Sequence, residues 1–500
     1  MVIRVTQTDV PQARHTVSMW TLVALILGST IGAGIFALPQ NMASVAGPGA
    51  MLIGWAVAGI GMLSVAFVFQ ILAVRKPHLD SGVYSYVRAG LGDFIGFTSA
   101  WGYWLGSVIA QVGYATLFFS TLGHYVPIFA PEHHLTSAIA VSVLTWTVYA
   151  ILARGVTQAA MLTTITTIAK VLPILSFILL VAFLGFRWER FTGDFWGHAS
   201  AAGAGSVFDQ VQGIMLFTVW VFIGVEGASV YSKQARSRAD VGRATVIGFL
   251  SVLVLLVSVA SLSFGVLSQD ELAALPDDSM GAVLTAVVGP WGGAFISLGL
   301  CLSVLGAYVS WQMLCAEPIV LMAFDGLLPR RFGRTNHRGA PWVAQLVSTA
   351  VIQLWVIVFF VNNTAYAQMV QLATVLYLLP YVFSALYLLL LAVRGHGITH
   401  PHAGVRFDDS GPEVSHRSNR RHTVIALVAL VYSLWLFYAA DLTYVLFGAL
   451  AVVPGLIPYV LTRRHNREQA FNGFEWGVVA LIVVAAVAAV LGLWTGTLHL

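Results

Sequence analysis

Charged side chains are scarce in this chain of 500 residues: Asp, Glu, Lys and Arg together make up 9%. A water-soluble protein carries about a quarter. With 58% hydrophobic residues, that scarcity excludes an ordinary soluble globule, and with it any domain count based on globular size. Cysteine is almost missing. Cys301 and Cys315 fall in one apolar segment. Fourteen helical residues would hold them roughly 21 Å apart, too far for a disulfide. No HExxH helix, nucleophile elbow or phosphate-cradling loop occurs, and no long polar stretch offers a soluble domain, which argues against a membrane enzyme. No cofactor or metal set is indicated. A cleavable signal peptide is not expected either: residues 1–16 are mostly polar, and the first apolar run is too long for such a segment. The net charge of +4 does not point to nucleic acid, because the basic residues have another use.

What the chain has in abundance is apolar runs. Thirteen segments are long enough to cross a bilayer: about 17–45, 49–73, 94–119, 135–153, 158–186, 207–232, 243–267, 288–320, 342–362, 366–393, 422–440, 442–462 and 474–497. With the N-terminus cytoplasmic and the spans alternating, all but three of the 25 Lys and Arg residues fall in cytoplasmic connectors. The exceptions are Arg187 and Arg190 outside and Lys170 within a span. This positive-inside bias fixes the expected orientation and the parity of the count, and thirteen spans put the C-terminus outside. The outer connector 268–287 carries Asp270, Glu271, Asp277 and Asp278 with no basic residue. The cytoplasmic connector 394–421 holds His396, His400, His402 and His416, which reads as a solvated loop. Residues 81–92 read as a short interfacial helix.

Two spans are interrupted. The first contains GSTIGAGIF (28–36), with Gly28, Gly32 and Gly34 beside Ser29 and Thr30. Each glycine costs a helix about 1 kcal/mol relative to alanine. The cluster is read either as close helix packing, since Gly28 and Gly32 form a small-xxx-small pair, or as local unwinding. Unwound backbone at membrane depth is tolerated only where it lines a cavity or is buried in protein, and the N-terminal end of a half-helix attracts a carboxylate. The sixth span contains FIGVEGAS (222–229), where Gly224 and Gly227 flank Glu226. A carboxylate at that depth needs water or a partner. The two interruptions lie five spans apart, so the second set of five enters the membrane from the opposite side. Corresponding broken helices in inverted halves point to the binding site of a secondary transporter.

Lys170 is the other buried charge, some twelve residues into its segment, roughly 18 Å from the cytoplasmic end. It is read as a proton carrier, as a fixed cation standing where other transporters bind sodium, or as a lysine–backbone tie between helices. Glu317, nearer the cytoplasmic end of its span, reads as structural or gating. Among many aromatics, Trp220 precedes the second break, and Trp311 sits beside Ser310 and Gln312, where its face can hold a cationic chain.

The stretches GSTIGAGIFALPQNMA (28–43), IGWAVAGIGMLSVAFVFQILAVRKPHLDSGVYSYV (53–87), GFTSAWGYWLGS (96–107), WVFIGVEGASVYSKQA (220–235) and CAEPIVLMAFDGLLPRRF (315–332) carry a family resemblance. The chain resembles the amino acid–polyamine–organocation superfamily, and within it the basic amino acid antiporters, the arginine/ornithine antiporter and lysine permease group. The resemblance covers nearly the whole chain. It implies an all-α LeuT-type fold with two inverted five-helix repeats, 17–186 and 207–393, a cytoplasmic loop 394–421 and peripheral spans over 422–497. It also implies site roles. Ser29, Thr30, Gly32, Ala33 and Gly34 match the unwound helix that holds a substrate's carboxylate and amino group. Trp220 matches an outer aromatic gate, Ile223 a cavity residue, and Trp311 the aromatic that stacks on the substrate chain. Glu226 matches a glutamate linked to gating and proton response, and Lys170 the lysine that replaces sodium. The chain departs from the pattern in GSVIAQVGY (106–114), where Val108, Ala110 and Gln111 stand near the family's Trp and Gly-Asn. Gln111 keeps the amide on a longer arm, which argues against arginine and leaves lysine, ornithine, histidine or a decarboxylation product open.

The function these readings imply is sodium-independent transport of a basic amino acid across the inner membrane by alternating access, with exchange favoured. Proton-coupled uptake is the alternative, and a channel a third option that would not need two hinged helices. The lipid bilayer and a cationic amino acid are the expected partners, and a homodimer fits the family.

Overall fold

The computed structural model describes residues 18–79, 82–155, 159–202, 205–225, 238–394 and 414–498, and the described residues form helices joined by short connectors, with no strand among them. Backbone polar groups cannot be left open to lipid, so a chain this apolar satisfies them within helices. Ten described helices are long and apolar enough to cross a membrane, and a bent pair makes an eleventh. The bent pair is α1 (Met19–Thr30), continued by a 3-10 turn (Ala33–Ala37) and α2 (Leu38–Ala43), with a 57° bend between the arms. Then follow α3 (Pro48–Arg75), the short α4 (Gly82–Leu91) that stands where the interfacial helix was expected, α5 (Asp93–Gly123), α6 (His134–Ala153) and α7 (Ala159–Leu180), which runs on through a π-turn to Gly185. The second half comprises α8 (Val207–Trp220), α9 (Arg238–Phe264), the short α10 (Ser279–Val288), α11 (Pro290–Phe324), α12 (Trp342–Asn362) and α13 (Tyr366–Arg394). Three further spans close the chain: α14 (His416–Ala439), α15 (Leu442–His465) and α16 (Gly473–Thr495).

Each of the thirteen apolar segments thus carries a helix. The boundaries differ where hydropathy is blind. α14 starts at His416, six residues before the apolar run, because the Ser415 hydroxyl caps the Ser418 N–H and long basic side chains keep their heads in water while their stems cover the helix. The histidines at 396, 400 and 402 lie outside the described residues. Cys301 and Cys315 are both free thiols in α11.

Contacts between spans recur when the first five are exchanged with the next five. α1 packs on α9 as α8 packs on α3, and α5 packs on α13 as α11 packs on α7. α6 packs on α12, and α5 on α11. α5 and α13 are the most enclosed of the spans, whereas α16 presents Leu481, Val484 and Trp494 outward, as a lipid-facing helix does. An ion network ties four elements. Arg88 of α4 binds Asp93 at 2.8 Å and Asp325 at 2.7 Å, and Arg463 of α15 reaches the other oxygen of Asp93 at 2.9 Å. The Tyr84 hydroxyl donates to Asp325 at 2.7 Å.

Candidate functional site

α1 stops at Thr30 because the next residues leave the helical region: Ile31 has ψ 99° and Gly32 has ψ −161°. The helix restarts as the 3-10 turn at Ala33, with Gly32 as an N-cap that supplies no side-chain bond. The break therefore exposes carbonyls at the end of α1 and N–H groups at the start of the turn, opposite partial charges facing across a few residues. Thr30 is buried with its hydroxyl unpartnered among the described residues, and Ala33 and Gly34 are buried beside it.

Lys170 closes the carbonyl end. It is buried on α7, and its Nζ donates to the Gly28 carbonyl and, at 2.7 Å, to the Ile31 carbonyl. An ammonium at a helix C-terminus complements the dipole as well as the orphan acceptors. The Lys170 side chain thus ties α7 to the backbone of the break.

α8 ends at Trp220 and relaxes into tight turns, with Phe222 N–H on Val219 O at 2.9 Å and Val225 N–H on Phe222 O at 3.1 Å. Gly224 has φ 103°, which an L side chain rarely adopts, and a Cβ there would lie 2.7 Å from the Ser29 carbonyl oxygen. The Ser29 hydroxyl reaches the Gly224 carbonyl at 3.3 Å. The two interruptions, 195 residues apart in sequence, are thus in direct contact. Glu226 and Gly227 lie outside the described residues.

Trp220 lies over the first break. A Cβ on Gly34 would come within 2.7 Å of its indole, so only glycine admits the ring there. Tyr114 of α5 packs on Trp220 with ring centroids 5.9 Å apart, and its hydroxyl lies near Gly32. Tyr366 lies close to the same indole, its buried hydroxyl without a hydrogen-bond partner among the described residues. Ile223 is buried just beyond. Trp311 belongs to a second group: it meets Tyr377 edge-on at 6.5 Å, Tyr377 meets Tyr103 at 5.0 Å, and the hydroxyls of Tyr377 and Ser107 are 2.8 Å apart. Tyr114 and Ser107 are seven residues apart on α5, so the two groups are separated by about 10 Å along that helix. Gln111 lies between them. It is wholly enclosed, donates its amide to the Tyr308 carbonyl at 2.9 Å, and leaves its Oε1 without a partner among the described residues.

Of the expected residues that are described, Ser29, Thr30, Gly32, Ala33, Gly34, Lys170, Trp220 and Ile223 gather round the break, whereas Trp311 stands with the second group, Glu317 lies on an exposed face of α11 and Gln111 ties α5 to α11. Sequence reading missed Tyr114, Tyr308, Tyr366 and Tyr377. One signal was available: Tyr103, Ser107, Gln111 and Tyr114 follow one another at spacings of four, four and three, a polar stripe on one face of an otherwise apolar span. Among the described residues no three His, Cys, Asp or Glu side chains are placed to hold a metal ion.

Residues 17–462 match the family described as amino acid permease. The chain is 70% identical over 486 residues, 97% of each chain, to an L-lysine transport protein of Corynebacterium glutamicum. It is 44% identical to an arginine/ornithine antiporter of Pseudomonas aeruginosa over 98% of this chain and 99% of that one. It is 36% identical to an arginine/agmatine antiporter of Chlamydia pneumoniae over 91% of each. A multi-pass helical chain with two interrupted helices in contact, matched along nearly its whole length, belongs to the amino acid permease family.

Proposed function

We propose that the chain is a secondary transporter of basic amino acids, sodium-independent and working by alternating access, and that it exchanges one such amino acid for a related one. The observation that carries this reading is the contact between the Ser29 and Gly224 breaks, with the Lys170 Nζ donating to two carbonyls of the first break. Its relatives are named for lysine, arginine, ornithine and agmatine, all of which bear an ammonium or guanidinium group at the end of an alkyl chain. In this reading the backbone at Gly32, Ala33 and Gly34 takes the substrate carboxylate, Ser29 and Thr30 assist, Trp220 and Ile223 cover it, and Trp311 receives the cationic end. Gln111 tunes the space between, Glu226 couples the cycle to protons, and Lys170 fixes the break.

The paired span contacts support two repeats, 17–186 and 207–393, related by a pseudo-two-fold axis in the membrane plane. With basic residues inward, the N-terminus is cytoplasmic, the C-terminus outside, and the membrane the inner one.

A second reading, proton-coupled uptake, is favoured by the Corynebacterium relative, which is named a transport protein and not an antiporter. Uptake of labelled lysine and arginine into proteoliposomes separates the two. Uptake only into vesicles preloaded with ornithine, lysine or arginine supports exchange. Uptake into empty vesicles under a pH gradient supports symport. No uptake of any basic amino acid under either condition refutes the substrate class.

A further inference from the structure

The face that the orientation above places outside holds a cavity of about 410 Å³, within the range that takes a small ligand. Thr116, Ser120 and His124 come from α5 and its end, Asp277 from the loop before α10, and Thr364 and Tyr366 from the start of α13. Its lining extends towards the aromatic cover of the break, because Tyr366 lies close to Trp220 and its buried hydroxyl has no hydrogen-bond partner among the described residues.

Two observations mark the cavity as a place for a cation. Thr364 is 7% exposed, and its hydroxyl has no partner among the described residues. The two acids beside the cavity are not equivalent. Asp278 is engaged, its Oδ2 holding His124 Nδ1 at 3.2 Å and the Ser297 hydroxyl at 3.5 Å. Asp277 is half-buried, lines the cavity and has no ion pair among the described residues. A carboxylate in a cleft with low-dielectric walls focuses its field into the opening and raises the local cation concentration.

We propose that this cavity is an outer holding site for the substrate's cationic side chain, an alkylammonium or guanidinium group. Asp277 is its counter-ion, and the Thr364 hydroxyl accepts a hydrogen bond from it. The occupant then passes Tyr366 and Trp220 to the break. This deepens the reading that the chain carries basic amino acids and rests on it. A pH dependence follows. Burial, and then the charge of Asp278, push the Asp277 carboxyl up to about 6. The cation-attracting form is present above that pH and lost as the outer pH falls through it. His124 and His134 face the same space. Protonation of His124, favoured by its hydrogen bond to Asp278, adds positive charge in the same direction.

The test uses proteoliposomes of uniform orientation, with lysine offered from one side at a time. Asp277→Asn is expected to raise the KM for outside lysine about tenfold, to leave the KM from the cytoplasmic side unchanged, and to be rescued by Asp277→Glu. Thr364→Val is expected to raise the same outer KM by a smaller factor. An unchanged outer KM in Asp277→Asn, or an equal rise on both sides, overturns the holding site while lysine transport itself stands. If the asparagine variant does not fold, the wild type decides. Its outer KM should rise as external pH falls through about 6 at constant internal pH, and a flat profile overturns the proposal. A wild type that carries no basic amino acid from either side refutes the underlying function instead.

Discussion

Replacing Lys170 by methionine tests how the first break is held. Methionine keeps most of the stem and removes the ammonium, leaving the Gly28 and Ile31 carbonyls without their donor. A buried acceptor left unsatisfied costs about 1–3 kcal/mol, so the two together cost about 2–6 kcal/mol. The wild type, however, bears the penalty of a desolvated ammonium, which is several kcal/mol even after relaxation. These effects have opposite sign and similar size. Folded-state stability is therefore expected to shift by no more than about 2 kcal/mol. The break itself fares differently. The end of α1 carries about half a negative charge, and without the ammonium nothing described neutralises it or sets the angle between the two arms. A displacement worth only 1.4 kcal/mol changes an equilibrium about tenfold. Lysine exchange in proteoliposomes should thus fall at least about tenfold while detergent melting stays near that of the wild type. A variant that melts normally and exchanges at the wild-type rate would falsify the clamp.

Other changes probe neighbouring contacts. Gly224→Ala forces a side chain into a left-handed backbone, at about 1–2 kcal/mol, and sets its Cβ 2.7 Å from the Ser29 carbonyl. Uptake should be lost in normally inserted protein, and retained uptake would mean the two breaks need not touch. Trp311→Ala removes a cation–π face worth about 0.5–2 kcal/mol, so lysine affinity by calorimetry should fall about 2- to 30-fold; an unchanged Kd takes Trp311 out of the site. Asp93→Asn strips the carboxylate that Arg88 and Arg463 share at 2.8 and 2.9 Å. Breaking such a buried pair costs about 3–5 kcal/mol, so the melting temperature should drop clearly. A melting curve that overlays the wild type would show that the network adds no stability.

Much of this protein was legible in its sequence because a bilayer imposes few solutions. Backbone groups in hydrocarbon must bond within helices, so thirteen apolar runs imply helices, and the distribution of Lys and Arg implies their direction. The glycines at 28–34 and 224, and Lys170 alone in an apolar span, stood out for the same reason: each is unfavourable in lipid unless something accommodates it. What they met was decided only by tertiary structure. That Lys170 binds the carbonyls of Gly28 and Ile31, that Ser29 meets Gly224, and that Trp220 fits because Gly34 has no Cβ depend on helix rotations and crossings. Hydropathy carries no information about these. The tyrosines round Trp220 and Trp311, the placing of Gln111 between helices and the separation of Asp277 from the paired Asp278 were likewise beyond composition and spacing. A side chain's partner is fixed by which faces pack, and in a chain this apolar many faces look alike until they do.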